Sequence, residues 1–552
     1  MTQPETRRVK RGRRAKAVDR ATQRFLGVRG RDSGYQIVQD IEVPTRDGFQ
    51  LLTDHYIPER APSGTILVRS PYGKGFPVSL FNGRIFAAAG YHVLIQNVRG
   101  RFGSTGTFQP FVHEQQDAQD TVSWMRSQSW FNGRLATLGG SYMGFAQWAL
   151  LADPPPELQA SVIVVGPHDM SEAMYGTGAF ALGSWLAWSE GAAEQEELSF
   201  ARGMTRLMTA DRRIKPGLDG LPLAEAADPL LDGRAPWYRE WLLHPDRSHH
   251  YWDVARHARA LRESDVPTLL ITGWHDAFID QTLEQYSALQ GRNVDVALTV
   301  GPWSHMDTAV KASAVITAES LDWLDHHLGA RSKRRTSPVR VFVVGHDQWR
   351  DYPEWPPPSA EKHFFLDDEG ALSDSAGRGS TSFVYDPADP TPALGGRVMS
   401  PRHAGAKDNQ KLEQRKDVVT FTGKPLEKDV EILGRPVMNL TMSVDNPHAD
   451  VFVRLCDVDR RGRSFNVADA MLRLDPSVPP NEEQHVTLEL DPCAYLLRAG
   501  HRLRLQVSGG AHPRFARNLG TDEPVASGRT LAPSTHVVHH ATSRITLPVS
   551  AG

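Results

Sequence analysis

The stretch Leu135-Ala-Thr-Leu-Gly-Gly-Ser141-Tyr-Met-Gly144 decides how the first half of this 552-residue chain folds. An apolar run ends in two glycines and a serine, and a helix-compatible run follows at residues 145–152. A sharp turn from strand to helix presents a serine hydroxyl at the carboxyl edge of a sheet, and only small neighbours tolerate it. The usual pattern has glycine two residues after the serine, where this chain has Met143. Ser141 is therefore a candidate nucleophile, with a helix N-cap as its alternative role.

Short apolar runs on both sides of this stretch predict the rest of a parallel sheet. They lie at residues 65–68, 92–96, 161–165, 267–272 and 296–300. Continuous apolar strands of this length are typical of a parallel sheet that is covered on both faces by helices. Alternating apolar and polar residues at 35–43 and 50–56 predict a hairpin before the sheet. We therefore expect an α/β fold.

Changes of pattern along the chain predict its domains. The segment between residues 165 and 267 is too long for one crossover, and its Ala, Leu, Glu, Met and Trp content predicts a helical cap. Beyond Pro338 the helical periodicity gives way to alternating strands with Gly and Pro turns, which predict a β-sandwich or jelly roll. We expect a catalytic α/β domain at 35–170 and 256–335, the cap at 171–255, and the β domain at 336–552. A charged linker at 331–336 leads from the α/β domain into the β domain.

The composition excludes several classes of protein. Hydrophobic residues make up 40% and charged residues 23% of the chain, as in globular proteins, and no apolar run is long enough to span a membrane. Two cysteines, Cys456 and Cys493, exclude a disulfide-rich scaffold and a cysteine-based zinc cluster. Such sparse usage favours reduced thiols and a cytoplasmic protein. No metal-ligand spacing or phosphate-binding glycine loop stands out, so we expect no metal and no cofactor.

The N-terminal residues carry a charge that the net charge of −3 conceals. Residues 1–31 contain eleven lysines and arginines and two acidic residues, which gives +9 and leaves −12 on the rest of the chain. We expect residues 1–34 to form a basic, poorly ordered tail. Binding of nucleic acid or an anionic lipid surface by this tail is the alternative that we do not favour.

The partners of a catalytic serine are expected at the ends of two later strands, first an acid and then a histidine. The run at 267–272 leads into Gly-Trp-His-Asp276, and the run at 296–300 leads into Gly-Pro-Trp-Ser-His305. An open parallel sheet places its ligand crevice outside the carboxyl ends of its strands. Asp276 and His305 are therefore the candidates.

Two neighbouring residues are rivals for these roles. His275 adjoins Asp276, and adjacent residues tend to point apart, so we expect a partly exposed loop histidine. Asp280 follows one helical turn later, and we expect it to cap the helix that begins near residue 281.

A tyrosine follows the first buried strand, in Val68-Arg-Ser-Pro-Tyr72. We expect the Tyr72 hydroxyl and the Tyr142 backbone N–H to stabilise a tetrahedral oxyanion. Each such donor is worth roughly 3 to 4 kcal/mol of the barrier. The alternative role of Tyr72 is that of a turn residue packed on the sheet.

Together these motifs resemble the cocaine-esterase-like serine hydrolases, which are related to X-Pro dipeptidyl-peptidases. The resemblance is carried by Ser-Tyr-x-Gly at 141–144, Pro-Tyr at 71–72, and the motifs that end at Asp276 and His305, and it extends to Asn97-Val-Arg-Gly-Arg-Phe-Gly-Ser104. It implies an α/β-hydrolase domain, an inserted helical cap and a C-terminal jelly roll of the galactose-binding-like type. It also implies that Ser141 is the nucleophile, His305 the base and Asp276 its orienting acid, with Tyr72 and the Tyr142 amide as oxyanion hole.

Departures from the resembled pattern bear on the substrate. Ala277, Phe278 and Ile279 stand where related amino-acid ester hydrolases have carboxylates for an α-ammonium group, so we do not expect recognition of a free amino group. Phe278 and Trp188 are candidate walls for an apolar acyl group, although Trp188 fits the core of a cap helix equally well. Asn97 replaces a common aspartate and is expected to affect loop hydrogen bonds near Arg99.

We therefore expect a serine hydrolase that cleaves carboxylic esters with a hydrophobic acyl group. One alternative is an X-Pro dipeptidyl-peptidase or acylase that cleaves amides. Another is a catalytically silent binding protein. The sequence leaves the oligomeric state open.

Overall fold

The computed structural model describes residues 7–28, 33–197, 200–329 and 335–550. Within them, two β-sheets account for most of the strands. The strands of the first sheet are β1 (Arg7–Lys10), β2 (Tyr35–Pro44), β3 (Gln50–Pro58), β4 (Thr65–Ser70), β5 (His92–Asn97), β6 (Leu135–Gly140), β7 (Leu158–Val164), β8 (Thr268–His275), β9 (Val296–Ser304), β10 (Val339–Val343) and β11 (Gln348–Tyr352). The strands of the second are β12 (Ser359–Asp367), β13 (Ala371–Ser373), β14 (Ser380–Tyr385), β15 (Val418–Gly423), β16 (Val430–Gly434), β17 (Val437–Val444), β18 (Asp450–Val458), β19 (Ser464–Arg473), β20 (Gln484–Glu489), β21 (Cys493–Leu497), β22 (Arg502–Ser508) and β23 (Ser534–Ser550).

The α-helices lie mostly between the strands of the first sheet. They are α1 (Arg13–Phe25), α2 (Ile85–Ala89), α3 (Glu114–Arg126), α4 (Tyr142–Leu151), α5 (Met170–Tyr175), α6 (Leu182–Glu194), α7 (Phe200–Asp219), α8 (Leu223–Leu231), α9 (Pro236–Leu243), α10 (Ala258–Glu263), α11 (Ile279–Gly291) and α12 (Ser313–His327). None of the described helices is both long and apolar enough to cross a lipid bilayer.

The first sheet has the strand order β1-β2-β3-β5-β4-β6-β7-β8-β9-β10-β11. The strands from β5 to β10 in this order run parallel, and the pairs at both edges are antiparallel. All residues of β4 and β5 are buried, as expected for strands covered by helices on both faces. This arrangement confirms the predicted α/β-hydrolase fold, and it brings the carboxyl ends of β4, β6, β8 and β9 to one edge.

At both ends of this sheet the structure extends past the predicted domain boundaries. Strands β10 and β11 lie within the predicted β domain, which begins at residue 336, and β10 also extends the first sheet by parallel pairing with β9, with Val339 opposite Leu298. The physical reason is the alternation of Val339, Val341 and Val343, which are fully buried in the core beneath this sheet. The charged linker expected at 331–336 lies outside the described residues, except for its last two positions.

Residues 7–28, within the predicted tail, contain a strand and a helix. Strand β1 pairs antiparallel with β2, and helix α1 follows it. A buried carboxylate links this segment to the first sheet and its helices: Asp19 contacts Arg11 at 2.7 Å and Arg84 at 2.6 Å, and it accepts a hydrogen bond from the Tyr35 hydroxyl. The rest of the tail, residues 1–6 and 29–32, lies outside the described residues.

The cap and the β domain each have a core of their own. Helices α5 to α9 lie in the cap, between β7 and α10, and they enclose buried aromatic side chains such as Phe180, Tyr238 and Trp241. The second sheet folds around aliphatic residues, with the 17-residue strand β23 pairing to four others. Cys456 and Cys493 are buried in this domain and are not bridged.

Candidate active site

Ser141 occupies the turn between β6 and α4. Its backbone angles are φ +58° and ψ −123°, a conformation that costs energy for any residue with a side chain. Ser141 stands at the N-cap position of α4, but its side chain makes no capping hydrogen bond. The Ser141 side chain therefore does not have the alternative role of a simple helix cap.

The glycines around Ser141 explain why methionine replaces the usual glycine at position 143. A β-carbon on Gly139 would come within 2.5 Å of the Met143 β-carbon, so glycine at 139 makes room for the Met143 side chain. A β-carbon on Gly144 would lie 2.7 Å from the Cα of Gly166. In this chain the close approach of helix α4 to the segment after β7 occurs at 144, one position later than in the usual pattern.

The structure brings the Ser141, His305 and Asp276 side chains into one hydrogen-bonded row. His305 Nε2 lies 3.0 Å from Ser141 Oγ, and His305 Nδ1 lies 2.6 Å from Asp276 Oδ1. The three residues follow β6, β9 and β8, whose carboxyl ends meet at the same edge of the sheet. A serine beside a histidine that is oriented by a buried acid can act as a nucleophile.

Asp276 is fixed by several contacts. Its side chain is fully buried, and its second oxygen, Oδ2, accepts a hydrogen bond from the Thr272 hydroxyl at 3.0 Å. The Phe278 ring stands edge-on to the His305 ring, with 5.2 Å between centroids. Both oxygens of the acid are therefore hydrogen-bonded, and the imidazole is held between Asp276 and an aromatic ring.

Tyr72 reaches the same place from the loop after β4. Its hydroxyl accepts a hydrogen bond from the Trp188 indole N–H at 3.3 Å. Burial raises the pKa of Tyr72, although hydrogen bonds to Trp188 and Ser141 and the charge of Arg101 act in the opposite direction. The hydroxyl therefore keeps its proton at neutral pH and is able to donate it in a hydrogen bond.

The Tyr142 side chain is anchored away from the nucleophile. Its hydroxyl donates to Glu114 Oε1 at 2.8 Å and accepts from the Phe111 N–H at 3.0 Å. Glu114 is buried and paired with Arg69 at 2.6 Å. As the first residue of α4, Tyr142 has no preceding helical turn to bond its backbone N–H. Of the Tyr142 donors, the backbone N–H is therefore the one that lies beside Ser141.

Phe278 and Trp188 both lie in the aromatic cluster next to the site. Phe278 is 4% exposed and packs on His305 and Trp185. Trp188, on helix α6, is half-buried and stacks on Tyr142 with 5° between the ring planes. Its hydrogen bond to Tyr72 is a contact that the sequence does not indicate.

The two rival residues, His275 and Asp280, are not part of the hydrogen-bonded row. His275 is the last residue of β8 rather than a loop residue, and burial lowers its pKa to about 4. The prediction that Asp280 caps a helix is wrong, because α11 begins at Ile279 and its cap makes no side-chain hydrogen bond. Instead Asp280 pairs with Arg397 and Arg435 of the β domain. Ionic partners more than 100 residues away cannot be read from a local pattern.

A cluster of possible metal ligands lies away from this edge. The side-chain nitrogen and oxygen atoms of Asp295, His326 and His327 lie within 4.8 Å of one another, although we expect no metal from the sequence. Asp295 precedes β9, whereas His305 follows it, so the cluster is at the opposite end of that strand.

Comparison with known proteins agrees with this architecture. The family model described as X-Pro dipeptidyl-peptidase (S15 family) matches residues 47–307, and that of the X-Pro dipeptidyl-peptidase C-terminal non-catalytic domain matches residues 332–546. The cocaine esterase of Rhodococcus sp. (strain MB1 Bresler) is 30% identical over 545 residues, which cover 90% of this chain and 94% of that relative. The chain belongs to the S15 family. It is a serine hydrolase with esterase or peptidase activity.

Solved structures show the same fold at lower identity. An aminopeptidase from a marine sediment archaeon of the Thaumarchaeota superposes with a TM-score of 0.80 at 22% identity, over 95% of this chain and 97% of that one. An α-amino acid ester hydrolase superposes with a TM-score of 0.78 at 22% identity, over 94% and 97%. Both matches span the α/β domain, the cap and the β domain.

Proposed function

We propose that this S15 family member hydrolyses carboxylic esters through an acyl-enzyme formed on Ser141. The observation that carries this proposal is the hydrogen-bonded row from Ser141 Oγ through His305 to the buried Asp276. In this role Ser141 is the nucleophile, His305 the general base and Asp276 the acid that holds the imidazole tautomer.

The chemistry follows from the positions of these groups. His305 Nε2 removes the Ser141 proton as Oγ forms a bond to the ester carbonyl carbon. The Tyr72 hydroxyl and the Tyr142 backbone N–H donate to the oxyanion of the tetrahedral intermediate. Its collapse breaks the bond to the alcohol oxygen, which takes the proton from His305. Water then attacks the acyl-enzyme by the same route and releases the acid.

The side chains after Asp276 favour a hydrophobic acyl group. Ala277, Phe278 and Ile279 bring no carboxylate to this loop, and Phe278 and Trp188 contribute aromatic surface beside His305 and Tyr72. Contact with a buried apolar surface favours the binding of apolar groups and disfavours the binding of a charged group that has no partner there. We therefore propose p-nitrophenyl butyrate as a better substrate than a dipeptide with a free α-ammonium group.

Cleavage of amides is the second candidate, and the S15 family model favours it. The two candidates separate in a substrate panel that compares p-nitrophenyl acyl esters with X-Pro-p-nitroanilides, using wild type and Ser141→Ala. We expect ester hydrolysis by wild type, loss of at least about 10³-fold in kcat in Ser141→Ala, and a fluorophosphonate adduct on Ser141. Rapid anilide turnover with inert esters would establish the amidase instead. Full activity of Ser141→Ala would remove Ser141 from the mechanism.

A further inference from the structure

Arg101 is buried beside the candidate active site, and the reaction described above gives it no role. It belongs to the loop at residues 97–104, which follows β5. The Asn97 side-chain amide donates to the Phe102 carbonyl at 2.9 Å, and the Ser104 hydroxyl donates to the Asn97 carbonyl at 3.0 Å. These bonds hold the loop in a compact form. The Arg101 side chain is only 7% exposed.

The Arg101 guanidinium joins the two segments that meet at the Tyr72 hydroxyl. Its Nε donates to the carbonyl of Pro71, the residue before Tyr72, at 3.1 Å. Its Nη1 donates to the carbonyl of Ala192 at 3.0 Å, on helix α6 one turn after Trp188. Trp188 in turn donates to the Tyr72 hydroxyl. One side chain thus fixes the main chain on both sides of that hydrogen bond.

The charge of Arg101 is poorly compensated. Its carboxylate partner is Glu196, at 3.1 Å, and that side chain is 37% exposed. The Phe102 and Phe108 rings lie 5.1 and 5.0 Å from its central carbon, and its Nη2 is buried with no hydrogen-bond partner among the described residues. Burial lowers the pKa of Arg101, yet a guanidinium stays charged in proteins. A buried cation of this kind costs stability unless it is paired.

We propose that Arg101 is a positioning residue for the oxyanion donor Tyr72: it clamps the Pro71–Tyr72 main chain to helix α6 and places a positive charge near the Tyr72 hydroxyl. This inference rests on the proposed function. A donor is effective when it is held in advance at the position where negative charge develops. The neighbouring cation strengthens the effect, since it favours negative charge on the group that the hydroxyl contacts.

A double-mutant cycle with Arg101→Met and Tyr72→Phe tests the proposal on p-nitrophenyl butyrate. We expect Tyr72→Phe to lower kcat by about 10²- to 10³-fold. Arg101→Met should lower kcat by about 10- to 100-fold with KM changed less than about threefold, because Arg101 acts on the transition state through Tyr72. In the Tyr72→Phe background, Arg101→Met should cost less than about threefold. Independent, multiplying losses in the double variant would overturn the proposal.

A matched control separates positioning from general damage to the loop. Arg99 lies two residues earlier, is 5% exposed and pairs with Asp47 and Asp117 rather than with the Tyr72 segment. Arg99→Met should lower the urea midpoint but leave kcat per folded molecule within about threefold of wild type. Equal kcat losses in Arg99→Met and Arg101→Met would contradict the proposal.

The conservative variant and Ser141→Ala complete the experiment. Arg101→Lys keeps the charge but cannot bond both carbonyls in the same geometry, so we expect its kcat to lie between those of wild type and Arg101→Met. Failure of the proposed function would give a different result, because an active Ser141→Ala variant would refute the mechanism. If Ser141→Ala is inactive but the kcat losses of Arg101→Met and Tyr72→Phe multiply in the double variant, only the role of Arg101 is refuted.

Discussion

Asp280 Oδ2 lies 2.5 Å from Nη1 of Arg397, so the helix that follows Asp276 is paired with an arginine of the β domain. Arg397 also contacts Asp491 at 2.6 Å, and Arg435 contacts Asp280 at 2.6 Å. Burial alone would raise the pKa of Asp280, but the two arginines outweigh it and lower the pKa to about 2. The loop that carries the candidate acid is therefore held from both domains.

Removal of this arginine should destabilise the whole chain. We expect Arg397→Met to lower the free energy of unfolding by about 3 kcal/mol, because the buried Asp491 loses its salt-bridge partner and Asp280 keeps only Arg435. Urea unfolding at pH 7 measures the loss. Arg350→Met is the control, since Arg350 of the first sheet pairs with Glu431 of the second sheet but is 34% exposed. It should cost less than about 1 kcal/mol, and equal losses would contradict the interpretation.

Alanine at two glycines should change stability in opposite directions. In Gly144→Ala the new methyl group would meet the Gly166 backbone at 2.7 Å, so we expect a loss of about 2 kcal/mol. Gly191 lies inside helix α6 with nothing within 4 Å of an added β-carbon. Gly191→Ala should therefore add about 0.5 to 1 kcal/mol. Thermal unfolding measures both variants, and a Gly144→Ala protein as stable as wild type would show that α4 can move away.

The two tyrosines next to Ser141 should respond differently to loss of their hydroxyl. Tyr72→Phe removes a proposed oxyanion donor and should lower kcat by about 10²- to 10³-fold. Tyr142→Phe keeps the backbone N–H, so we expect less than about a tenfold loss of kcat. It should instead cost about 1 to 3 kcal/mol of stability, because the buried Glu114 Oε1 and the Phe111 N–H each lose a hydrogen bond. Ester kinetics and urea unfolding on both variants check this, and the reverse pattern would exchange their roles.

A buried histidine pair should make stability depend on pH. His55 Nε2 lies 2.8 Å from His92 Nδ1, and burial lowers their pKa values to about 3 and about 4. The unfolded chain, with histidine pKa values near 6.5, binds protons first as the pH falls. The stability from the neutral pair is therefore complete above about pH 6.5 and is lost progressively toward about pH 4.

Replacement of both histidines tests this dependence. In His55→Gln/His92→Gln, the fall in the free energy of unfolding between pH 7.0 and 4.5 should be smaller than in wild type by about 5 kcal/mol. Urea unfolding at the two pH values measures it. Identical falls in both proteins would show that the pair titrates normally in the folded state.

Local patterns in the sequence were sufficient to name the candidates for the reaction. Ser141, Asp276 and His305 each follow a short apolar run and a glycine-containing turn, and a parallel sheet brings the ends of such runs to one edge. The same argument led to Tyr72. These predictions depend only on the strand periodicity and on where each strand ends, which are properties of a few neighbouring residues.

Tertiary structure alone decided which partners these residues have. Trp188 reaches Tyr72 across 116 positions, Arg101 reaches Ala192 across 91, and Asp280 reaches Arg397 across 117. The pairing of β10 with β9 and the neutralisation of Arg11 by Asp19 likewise depend on packing between elements. A side chain finds such partners only when separate elements meet, and no local period records where that happens. The sequence by itself therefore determined the fold and the candidate residues, whereas packing between distant elements decided how those residues are held.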